Sequence, residues 1–85
     1  MTYRNIVEPM LEQAQRLPQR PAVVYEDICL TYQELDDLSR RIGRVFLEMG
    51  ITPGDRIAYL LPNRPELVAV YIAIQRIGAV AVPLN

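Results

Sequence analysis

The segment that most restricts how this chain can fold is "RPELVAVYIAIQRIGAVAVPLN", residues 64 to 85. Between Leu67 and Ile77 only Gln75 and Arg76 are polar, so a helix there is apolar almost all round and needs neighbours on more than one side. Pro65 suits its first turn and Gly78 its end. Beyond the glycine, "AVAVPL" is apolar on both faces, the pattern of an interior strand of a parallel sheet. Upstream, Thr52-Pro53-Gly54-Asp55 is turn chemistry, and "RIAYLL" is an apolar run of strand length that stops at Pro62 and Asn63. Strand, helix and strand in this order predict a βαβ unit with a parallel pair and a right-handed crossover. A chain of 85 residues cannot easily cover such a helix, and the last strand emerges only as the sequence reaches Asn85. The expectation is one incomplete piece of a larger α/β domain, spanning residues 1 to 85.

The first half reads as local structure. Ile6, Val7, Met10, Leu11, Ala14 and Leu17 fall at helical spacing, with Asn5 as the cap and Pro9 in the first turn. "LPQRP" ends that helix, and "AVVY" and "ICLT", either side of Glu26-Asp27, predict a short hairpin. Thr31 with Glu34 three residues on is a capping box, so a second helix starts there. Leu35, Leu38, Ile42, Val45, Phe46 and Met49 draw one apolar stripe along it to Gly50. On the opposite side Asp36 pairs with Arg40 and Asp37 with Arg41 at i, i+4. Arg40, Arg41 and Arg44 are thus read as a solvated face rather than an anion site.

Composition excludes several functions. A hydrophobic fraction of 51% and a charged fraction of 22% suit a globular fold, and a net charge of -1 gives no basic field for nucleic acid or anionic lipid. The sequence holds no His, no Lys and one serine, Ser39, so the commonest general base, the Schiff-base nucleophile and the phosphate-loop lysine are all missing. The lone Cys29, between Ile28 and Leu30, reads as a small buried side chain. "LVAVYIAI" is far shorter than the ~20 residues that span a bilayer, so no transmembrane segment is expected and the cytoplasm is the expected compartment. Neither a glycine-rich phosphate loop nor a metal-ligand cluster occurs.

"LTYQEL" at 30 to 35 resembles the first core motif of the adenylate-forming (AMP-binding) enzymes, which include acyl-CoA synthetases, luciferases and peptide-synthetase adenylation domains. "IGAVAVPLN" at 77 to 85 resembles their second core motif, and "GITPGDRIAYLLPNRPELVAVYIAIQR" resembles the usual connection. With "PAVVYED" at 21 to 27 the likeness covers nearly the whole chain. The ending "VPLN" is more similar to acyl-CoA synthetases, because peptide-synthetase domains usually carry aspartate where Asn85 stands. Arg64 replaces the small polar residue usual before the helix proline, which weakens that cap.

The resemblance implies the start of the large N-terminal domain of that fold: a short hairpin, amphipathic helices and a βαβ unit. It also implies a parent that uses ATP, Mg2+ and coenzyme A to convert an acid, with fatty acids the leading class, to an acyl-adenylate and then an acyl-CoA. The family's phosphate loop, nucleotide-binding residues and catalytic lysine match no position here, so catalytic, cofactor-binding and metal-binding residues are all expected to be none. Asn63 and Asn85, at the carboxyl ends of two strands, are read as turn residues at the rim of a ligand crevice. The expected partner is the remainder of the synthetase, in the same chain or as a complementary subunit. Two other readings stay open: a small noncatalytic interaction protein, which would dock through its apolar surface, and a compact nucleotide-binding module, which would bind ATP alone.

Overall fold

The computed structural model of the protein describes residues 7 to 60 and 64 to 84. Helix α1 (Val7–Arg16) leads into strands β1 (Pro21–Tyr25) and β2 (Ile28–Thr31), then helix α2 (Tyr32–Glu48), strand β3 (Arg56–Tyr59), helix α3 (Pro65–Arg76) and strand β4 (Val80–Pro83). β1 and β2 form the expected antiparallel hairpin, and β3 and β4 the expected parallel pair, with Arg56 opposite Val80 and Tyr59 opposite Pro83. The two pairs are separate sheets.

Each helix boundary has a local cause. Pro9 is the third residue of α1, where its missing N–H costs nothing. The Asn5 cap and the Ile6 contact lie outside the described residues. At α2 the Glu34 N–H donates to Thr31 Oγ1 at 3.1 Å and the Thr31 N–H to Glu34 Oε1 at 2.9 Å, which completes the capping box. Both long helices stop in the same way. Gly50 at φ 92° lets its N–H reach Leu47 O and the Ile51 N–H reach Phe46 O, while Gly78 at φ 77° does the same with Gln75 O and, through Ala79, Ile74 O. The left-handed conformation at these two sites is what selects glycine. At the start of α3, Arg64 gives no side-chain cap, as its substitution for a small polar residue implies, and instead donates to Glu66 at 3.3 Å.

The core lies between the three helices and the hairpin. Val7, Met10, Leu35, Ala69 and Ile72 form its buried centre, and Ala22, Val23, Leu38 and Ile42 pack around them. A register shift between Pro21 and Val23 allows Ala22 and Val23, adjacent in sequence, both to face that centre. α3 is covered on several sides: every residue from Leu67 to Ile77 is buried or half-buried.

Two sequence expectations need correction. The buried line of α2 is Leu35, Ser39 and Gly43, and the predicted stripe reaches the core through Leu35, Leu38 and Ile42, with Phe46 half-buried. Val45 and Met49 turn outward because α3, laid against the Ser39 and Gly43 side, occupies that side of the helix instead. Cys29 is exposed, since it pairs with Val24 on the hairpin face away from the helices. β4 is open, as the expectation of an incomplete domain implies: Val80 is 47% exposed, with β3 as the strand's one partner among the described residues.

Candidate functional site

In a parallel sheet, ligands gather at the carboxyl ends of the strands. Here that edge consists of Tyr59, which ends β3, with Leu60, and of Pro83, which ends β4, with Leu84. It is held closed by the Leu84 N–H donating to Tyr59 O at 2.9 Å. Leu60 and Leu84 are exposed on it. Asn63 and Asn85, the two residues that the sequence puts at this rim, lie outside the described residues. At the opposite, amino edge, the turn chemistry is explicit. Asp55 accepts from the Thr52 N–H at 2.7 Å and from its hydroxyl at 3.0 Å, and Gly54 N–H and Asp55 O bond Gly78 O and Val80 N–H. These bonds fix where β4 begins relative to β3.

The polar centre of the molecule is a cluster between α2 and α3. Arg76 Nη1 donates to Asp36 Oδ1 at 2.7 Å and to Ser39 Oγ at 3.3 Å, and the Ser39 hydroxyl donates to the Asp36 carbonyl at 3.0 Å. The other Asp36 oxygen accepts from Arg40 at 2.8 Å. Ser39 is fully buried, and Asp36 and Arg76 are half-buried. Sequence reasoning missed this cluster because its partners are far apart in the chain; the only local sign was a polar serine one turn from Leu35. The Ser39 hydroxyl is committed to a backbone carbonyl, with an arginine rather than a base beside it, so it has no means of activation as a nucleophile. The cluster is an interhelical clamp.

The predicted ion pairs on α2 are half met. Asp36 does pair with Arg40, but Asp37 approaches Arg40 at 3.9 Å and not Arg41. Glu66, in the first turn of α3, has its carboxyl held below its usual value, chiefly by a hydrogen bond from its own backbone N–H, which outweighs the opposing effect of desolvation, and to a lesser degree by Arg64. Among the described residues no group of three His, Cys, Asp or Glu side chains could hold a metal ion. None of the side chains described offers the lysine, glycine loop or carboxylate cluster that ATP, Mg2+ or coenzyme A would require, and no residue is assigned to any of them.

Known proteins resemble the chain in both sequence and fold. A sequence model of the AMP-binding enzyme family matches residues 10 to 85. This chain therefore belongs to the AMP-binding enzyme family. It is 43% identical over 72 residues to a 3-hydroxybenzoate/4-hydroxybenzoate CoA ligase of Thauera aromatica, an alignment covering 85% of this chain and 14% of that one. It is 35% identical over 74 residues to a dimodular nonribosomal peptide synthase of Bacillus subtilis, covering 87% of this chain and 3% of that one. Among solved structures, the fatty acyl CoA synthetase of Mycobacterium tuberculosis superposes with a TM-score of 0.86 at 35% identity, over 95% of this chain and 16% of that one. The chain thus spans about a seventh of the length of the ligase it matches. The hairpin, helices and βαβ unit are the opening of the N-terminal domain in this fold.

Proposed function

We propose that this chain is the N-terminal scaffold segment of an ATP-dependent acid–CoA ligase and carries out no chemistry by itself. The supporting observation is the continuous family match from residue 10 to residue 85, set beside a structure in which the Asp36, Ser39 and Arg76 cluster and the Thr52–Asp55 turn hold helices and strands together. In the parent reaction a carboxylate oxygen attacks the α-phosphorus of ATP and pyrophosphate leaves. The thiolate of coenzyme A then attacks the acyl carbon and AMP leaves. Such a reaction needs preorganised donors around the phosphates and a mobile part that remakes the site between steps. On this reading all of those are supplied by the remainder of the synthetase, residues 1 to 85 form part of one domain, Mg2+ assists the first step, and the enzyme works in the cytoplasm. The ending "VPLN" favours a CoA ligase over a peptide-synthetase domain, although relatives of both kinds match.

A second reading, a subunit of a split synthetase, is favoured by the uncovered β4, with Val80 and Leu84 both exposed. The coding sequence downstream of Asn85 separates the two. A continuous frame encoding a Ser/Thr/Gly-rich loop followed by Pro-Lys-Gly, whose product releases pyrophosphate from ATP with a panel of carboxylic acids, supports the ligase segment. A product that never consumes ATP with any acid overturns it.

A further inference from the structure

We draw no further inference here: the strongest candidate, the open apolar surface of the parallel β3–β4 pair, where Leu60, Val80 and Leu84 are exposed, carries nothing because nothing in the structure shows what covers it.

Discussion

Gly43 shows how much one atom can decide where two helices touch. A Cβ placed there would meet Ile77 Cγ2 at 3.5 Å and Ala73 O at 3.8 Å, which is ordinary contact rather than a clash. Gly43→Ala should therefore stabilise the protein by about 0.5–1 kcal/mol through helix propensity, whereas Gly43→Leu should cost about 1–3 kcal/mol by forcing α3 away. Urea unfolding of the two variants distinguishes opposite signs at a single site. The Asp36 carboxylate poses the converse problem, being 14% exposed and bonded to two arginines. Asp36→Asn leaves Arg76 half-buried against a weaker acceptor and should cost about 1–3 kcal/mol. In a double-mutant cycle with Arg76→Met the losses should be less than additive. Glu66 adds a pH dependence. Its carboxyl is held below the usual value in the fold, so its stabilising contribution is present above that usual value and is lost as pH falls through the lowered one. Glu66→Gln should flatten the acid limb of the stability profile, as read by thermal melts between neutral and strongly acidic pH.

At the level of elements, the two glycine caps differ in a testable way. Both have positive φ, but a Cβ at Gly50 meets open space while one at Gly78 meets Pro53 Cβ at 3.4 Å. Gly50→Ala should cost about 1 kcal/mol from backbone strain alone, and Gly78→Ala somewhat more, because its Cβ lies close against Pro53 and the start of β4 is bonded to the same turn. Comparing the midpoints of denaturant unfolding for the two variants checks the order. These caps, the Thr31 capping box and the hairpin were legible in the sequence because each is settled by residues within a few positions of one another. The face that α2 buries was not. Periodicity pointed to Val45 and Met49, yet α3 lies against Ser39 and Gly43, where small side chains let two helices approach closely. Nothing local to α2 records that choice. Cys29 failed for a similar reason: flanking Ile28 and Leu30 suggested burial, but which face of a two-stranded hairpin meets the helices depends on where the helices are.

Across the whole molecule, order should be uneven. The buried centre is drawn from the three helices with the hairpin packed on them, whereas β3 and β4 contribute no residue to it and are held by each other and by α3. Amide hydrogen exchange should accordingly find the Ile72 to Ile74 amides of α3 protected longest and those of Val80 and Leu84 exchanging earlier, since their bonds can open without breaking the core. Equal protection of the two groups would show that the parallel pair belongs to the same cooperative unit. The family, the order of elements and both types of sheet pairing followed from sequence alone, because turn, cap and apolar-run chemistry act over a few residues and repeat in register along the chain. Only the tertiary structure decided which side of α2 is buried, that Asp36, Ser39 and Arg76 form a clamp, and that Asp37 turns to Arg40 rather than Arg41. Those outcomes depend on which surfaces meet, and contact between residues some 40 positions apart is fixed by the packing of whole helices rather than by any short-range preference of the chain.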